Sequence, residues 1–182
     1  MFYALIYYPE IKNKIIDVIR NQYDPHAHLI KEHITLIFPV PDIIGEEKLV
    51  EHIEDVLSKW EPFKIHITGY GKTWDHWLYL KIKEGKGELM NLHDELYSGN
   101  LDLYLRENLP YKPRIGLGVF TKEGYDPLHP EKLSFDEAAY QEAENKLAQE
   151  ALSLQRIMNQ LVLVKINDEF SKLWEVNTFF LG

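Results

Sequence analysis

His33-Ile34-Thr35-Leu36-Ile37-Phe38-Pro39 and, 81 positions further on, Arg114-Ile115-Gly116-Leu117-Gly118-Val119-Phe120 decide how this chain is read. Both stretches carry Ile and Leu at the same offsets, and each has a Phe shortly after, Phe38 and Phe120. Successive side chains of a strand point to opposite faces. Ile34 and Leu36 are therefore expected in the core, with His33 and Thr35 together on the other side. In the second stretch Ile115 and Leu117 turn inward and Arg114 takes the place of His33. The echo predicts a chain made of two similar halves.

Working outward, Phe2 to Tyr8 is an apolar and aromatic run suited to a buried strand. After Pro9, the residues Ile11, Ile15, Val18 and Ile19 recur at helical spacing. The strand that starts at His33 is expected to end at Pro39 and Pro41, and Gly45 to Trp60 reads as a helix with Leu49, Ile53, Val56, Leu57 and Trp60 on one face. Residues 62–70 and 77–83 alternate apolar and polar, an antiparallel pair with Gly69 and Gly71 between them. Residues 86–105 read as a helix interrupted at Gly99, 114–120 as a strand, 135–155 as an acidic helix, and 157–167 and 172–181 as closing strands. Irregular alternation with hairpins in the middle and at the end favours α+β with antiparallel sheets over a doubly wound parallel fold. No linker divides the chain, so 1–182 is read as a single domain.

Composition narrows the chemistry. Among 182 residues, 20 Lys+Arg stand against 29 Asp+Glu, for a net charge of −9, and 45% are apolar. A chain of this length buries roughly 70% of its unfolded surface, enough for one large core. The absence of Cys excludes thiolate catalysis, disulfides and Cys-based metal sites, leaving His, carboxylates, hydroxyls and Lys/Arg. The negative charge argues against long duplex nucleic acid, because such grooves depend on many Lys/Arg–phosphate contacts. A small anion needs only one local basic spot. No window approaches the roughly 18 apolar residues of a membrane helix, and Met1-Phe2-Tyr3-Ala4-Leu5 lacks a secretory pattern. A cytoplasmic protein without a membrane partner is expected.

With both stretches in view, the sequence resembles the 2H phosphoesterases, the superfamily of bacterial 2′-5′ RNA ligases and cyclic nucleotide phosphodiesterases. The resemblance implies a bilobal α+β fold: two antiparallel-sheet lobes with helices on their outer faces, related by a pseudo-two-fold about a central cleft. Each lobe gives that cleft one His-x-Thr/Ser motif. The first motif is complete as His33-Ile34-Thr35, in the family-like context His-Ile-Thr-Leu-Ile-Phe-Pro. The second falls at Tyr111-Lys112-Pro113-Arg114-Ile115-Gly116-Leu117-Gly118, where the family wording is Pro-His-Ile-Thr-Leu-Gly. The frame is kept and both catalytic positions are changed.

Two imidazoles on opposite sides of a phosphate serve the family as general base and general acid. Arg stays protonated up to about pH 12 and cannot shuttle protons, but its planar guanidinium grips phosphate oxygens well. Gly116 lacks the hydroxyl a Thr would offer and instead lets a ligand approach the backbone. The resemblance therefore implies His33 and Thr35 as catalytic residues and Arg114 and Gly116 as ligand-binding ones. The ligand is a small phosphorylated nucleotide or a short RNA end. Two readings stay open: a phosphoric diester hydrolase or RNA ligase-like enzyme of altered or reduced activity, and an inactive phosphate-binding module or scaffold. His66 in a second literal His-x-Thr, and Tyr79 in the stripe Trp77, Tyr79, Lys81, are further candidates for the cleft, against ordinary sheet positions. His26-Ala27-His28 has metal-like spacing without a carboxylate cluster, so no metal and no cofactor is expected. The loop 121–134 is a candidate lid.

Overall fold

Apolar alternation resolves into two sheets in the computed structural model, which describes residues 1–105 and 110–182. Along the chain run β1 (Phe2–Tyr7), α1 (Lys14–Tyr23), β2 (Ile34–Pro41), α2 (Glu46–Leu57), β3 (Phe63–Lys72) and β4 (Trp77–Glu84). They are followed by α3 (Lys86–Leu96), β5 (Arg114–Val119), α4 (Glu137–Ala148), β6 (Ser153–Met158), β7 (Gln160–Ile166) and β8 (Leu173–Phe180). The sheets are β2-β1-β7-β8 and β5-β4-β3-β6, antiparallel throughout. Each motif strand is an edge strand of its own sheet.

The two halves interlock. Helix α1, from the first half, packs on β5 of the second, while α3, from the second, packs on β2 of the first. Close packing on β5 explains Gly118. A Cβ at that position would stand 2.6 Å from Cβ of Tyr23 on α1. Inward side chains of both sheets join one core that includes Ile34, Leu36, Ile65, Ile67, Leu80, Ile115 and Leu117. Ala4, Ile6, Val162, Val164 and Ile166 form a second apolar cluster on the other face of the first sheet. The result is the α+β, two-lobed architecture that the sequence implied.

Several bounds differ from expectation for physical reasons. Strand β2 runs on through Pro39 to Pro41, because an edge strand has a side on which no ladder N–H is needed. Helix α1 starts at Lys14, where the Asn13 side chain caps the N–H groups of Ile15 and Ile16. Its buried face is Ile16, Ile19 and Arg20, and Val18 is 49% exposed. Gly69 and Gly71 lie inside β3 instead of in the hairpin turn. Gly69 has φ of +73° at a register irregularity between Ile67 and Tyr70. The expected acidic helix ends early at Ala148. Ala151 then takes φ of +44°, and Ser153–Met158 form β6 against β3.

Candidate functional site

His33 immediately precedes β2, and its ring Nδ1 lies 2.8 Å from the carbonyl oxygen of Lys31. A carbonyl only accepts, so Nδ1 carries the proton and Nε2 is left with its lone pair. Desolvation holds this imidazole below its ordinary pKa, and the charges of Arg20 and His26 push the same way, against the Lys31 carbonyl and Asp24. The neutral ring is thus favoured at pH 7, as a general base requires. Thr35, two residues on, pairs with Ile6 of β1, on the face of the second apolar cluster that also holds Ile6.

The segment that carries His33 is fixed by a buried ion network. Arg20 donates through Nε and Nη2 to Asp24 Oδ2 at 3.0 and 2.7 Å, and through Nη2 to the Ile30 carbonyl at 2.7 Å. Its Nη1 is 3.1 Å from Glu32 Oε1. The Arg20 and Asp24 side chains are each only 6% exposed. One guanidinium therefore ties the end of α1 to both ends of the connection leading into β2, which a buried charge requires if it is not to be costly.

On the second sheet, Arg114 is exposed and its guanidinium carbon lies 5.7 Å from the centre of the Tyr79 ring. Lys81 stands directly opposite Arg114 in the β4–β5 register. Like charges facing each other across strands are unfavourable, and neither cation takes part in an ion pair among the described residues. Two unneutralised cations side by side make a local positive patch on a chain of net charge −9.

Gly116 sits opposite Tyr79. A Cβ there would come within 3.4 Å of the Trp77 indole, so the missing side chain gives Trp77 room. Trp77 meets Tyr125 edge to face at 5.8 Å, and Tyr125 meets His26 in the same way at 5.4 Å. A residue of the 121–134 loop thus bridges the two halves.

The two motif strands touch each other. The Tyr111 hydroxyl donates to the Thr35 carbonyl at 2.8 Å, the ring stacks on His93 at 3.9 Å, and the Arg114 charge acts on the same hydroxyl. Strand β2, which follows His33 and carries Thr35, thus meets β5, which carries Arg114 and Gly116 and pairs with Tyr79 of β4. His66 is on β3, two strands from β5, and its Nε2 is 2.8 Å from Ser153 Oγ on β6. Among the described residues no group of three or more His, Asp or Glu could hold a metal ion. A shallow groove lined by Thr68, Gly69, Tyr70, Leu147, Ala151 and Leu152 lies apart from the motif residues and presents no acid, cation or imidazole. No helix among the described residues is long and apolar enough to cross a membrane.

Arg20, Asp24, Glu32 and Tyr111 were not singled out as site residues from sequence. Arg20 and Asp24 announce themselves only by their i,i+4 spacing, and Glu32 by its place next to His33.

Two interlocked antiparallel sheets meeting at strands with His-x-Thr and its altered echo define a two-lobed phosphoesterase-type fold. Residues 7–144 match the model of the 2'-5' RNA ligase superfamily, and the chain belongs to that family. A candidate phosphoesterase of Bacillus licheniformis is 31% identical over 108 residues, 56% of this chain and 62% of that protein. One of Bacillus cereus is 34% identical over 116 residues, 60% of this chain and 65% of that protein. The matches therefore span somewhat less than two thirds of these relatives' length. Among solved structures, a Thermus thermophilus protein superposes with TM-score 0.61 at 13% identity, covering 100% of this chain and 98% of that one. E. coli LigT complexed with 3'-AMP superposes with TM-score 0.56 at 14% identity, covering 99% and 96%. At such identities the likeness concerns the fold.

Proposed function

We propose that the seam between β2 and β5 takes a small phosphorylated nucleotide-type ligand and acts, at a reduced rate, on a 2′,3′-cyclic or 2′-5′-linked phosphodiester. His33 is the acid/base, Thr35 contacts the phosphate, Arg114 holds it as an anion, and Gly116 and Tyr79 line its approach. The observation that carries this reading is the uncompensated pair Arg114 and Lys81 on the strand that meets the one bearing His33. The crystallisation of LigT with 3'-AMP and with NADP+ supports a phosphorylated nucleotide as the ligand class. His66, already bonded to Ser153, has no role in it.

The test is thermal melting of wild type and Arg114→Ala with inorganic phosphate, 2′,3′-cyclic nucleotides, 2′-phosphates and short 2′-5′ oligonucleotides, with products read from the same samples. A ligand at 100 times its Kd adds about 2.7 kcal/mol of stability. The expected result is a rise in Tm that Arg114→Ala removes, with slow product formation. Absence of any shift and of any product would overturn the reading.

A further inference from the structure

We propose that His26 supplies the second imidazole of this site, as the general acid that protonates the leaving oxygen while His33 acts as base. This rests on the phosphodiester reading above and deepens it. Position 114 carries a guanidinium that does not exchange protons at physiological pH, so a complete acid/base pair needs an imidazole from elsewhere.

The His26 side chain is 33% exposed and has a carboxylate beside its ring. Its backbone N–H donates to Asp24 Oδ1 at 2.9 Å, and its Nδ1 is 3.8 Å from the same oxygen. The other oxygen of Asp24 is held by Arg20. A fixed carboxylate beside one ring nitrogen stabilises an imidazolium and leaves the other nitrogen to face a substrate. The buried charges of Arg20, Asp24 and Glu32 sum to −1, which one imidazolium neutralises. His28, two residues on, is exposed and has no carboxylate partner among the described residues.

Contacts also connect His26 to the altered motif. They run from its ring to Tyr125, from Tyr125 to Trp77, and from Trp77 to Gly116, the position of the family's second Thr. On the other side the charge of His26 acts on His33. The groups that face the pair are Asp24, Arg20, His28, the Lys31 carbonyl and Tyr125, whose hydroxyl senses Asp75 and Asp24.

In the hydrolysis of a 2′,3′-cyclic phosphodiester, an O–P bond forms from water and the bond from phosphorus to one ribose oxygen breaks. Nε2 of His33 takes the proton of the water, and the His26 imidazolium gives its proton to the departing ribose oxygen. The pair ends with its proton exchanged between the rings, and solvent restores the starting state. Desolvation holds both rings below their ordinary pKa, so the singly protonated pair is best populated on the acid side of about pH 6.5.

Steady-state hydrolysis of 2′,3′-cyclic AMP and of a thymidine p-nitrophenyl phosphodiester by wild type, His26→Asn and His33→Asn, from pH 5 to 8, tests the assignment. With the cyclic substrate, kcat of His26→Asn should fall about 10²- to 10⁴-fold with KM little changed, and the alkaline limb of the pH profile should disappear. With p-nitrophenolate, which leaves without a proton, His26→Asn should return close to wild type while His33→Asn stays impaired. Equal loss on both substrates would assign His26 a merely structural part, and wild-type rates in His26→Asn would overturn the proposal outright. Turnover of neither substrate by wild type would instead overturn the phosphodiester reading beneath it.

Discussion

Arg20 ties down the connection that carries His26 and His33. It sits on α1, yet its partners Asp24, Ile30 and Glu32 belong to the connection that delivers His26 and His33. Arg20→Met keeps much of the side chain's bulk but strands two carboxylates. Removing one partner of a buried ion pair costs about 3–5 kcal/mol, so its denaturant midpoint should fall well below that of wild type. An unchanged midpoint in urea melts would show that the network does not hold this segment. The same residue illustrates what sequence leaves hidden. His33 and Thr35 stand out because a short motif recurs as an echo half a chain away. Arg20 has no such marker, since an Arg and an Asp four apart on a helix are ordinary surface companions, and only the tertiary turn of residues 24–32 buries them. Lys81 was visible as part of an aromatic and basic stripe, but its place beside Arg114 is a fact of strand register, which composition does not reveal.

At the scale of elements, the interlock of helices and motif strands accounts for Gly118. Helix α1 lies so close to β5 that a Cβ at this position meets Tyr23 at 2.6 Å. Overpacking of this kind costs about 1–3 kcal/mol, and Gly118→Ala should lower the thermal midpoint while leaving the β1–β2 half of the site intact. Wild-type stability in that variant would show that α1 yields without cost. The order of the elements apart from β6 is legible from periodicity, and the departures follow from pairing. Prolines that usually stop a strand are accommodated in β2 because it is an edge. The expected helix beyond Ala148 gives way to β6, where β3 offers a free edge to residues that alternate Leu152 and Leu154 with Ser153 and Gln155. Helical spacing of Ala and Glu earlier in that segment masked the change of period.

At the scale of the whole molecule, acidification should act through histidines before carboxylates. His26, His33 and His93 all have pKa values lowered chiefly by desolvation. A group depressed in the folded state is protonated first in the unfolded chain, near pH 6.5, so the unfolded state binds more protons below that value and stability falls with pH. Stability should be fully present above about pH 6.5 and decline as pH drops toward the lowered folded-state values. Urea melts between pH 7.5 and 5.5 check this, and His33→Asn should flatten the slope. A midpoint independent of pH in that window would mean that these rings are solvated in solution. The two halves, each with a motif strand at its edge, are held together across the seam by Tyr111, which binds Thr35 and stacks on His93. On the proposed reading a substrate at that seam engages both lobes, which contribute differently: proton transfer from the first, charge from the second.

That division is tested most directly by measuring kcat and KM for 2′,3′-cyclic AMP with wild type, His33→Ala and Arg114→Ala. His33→Ala should lose kcat by about 10²- to 10⁴-fold with KM largely retained, while Arg114→Ala should raise KM and spare more of kcat. Indifference of both parameters to both substitutions would contradict the account, since neither half of the seam would then take part in the reaction.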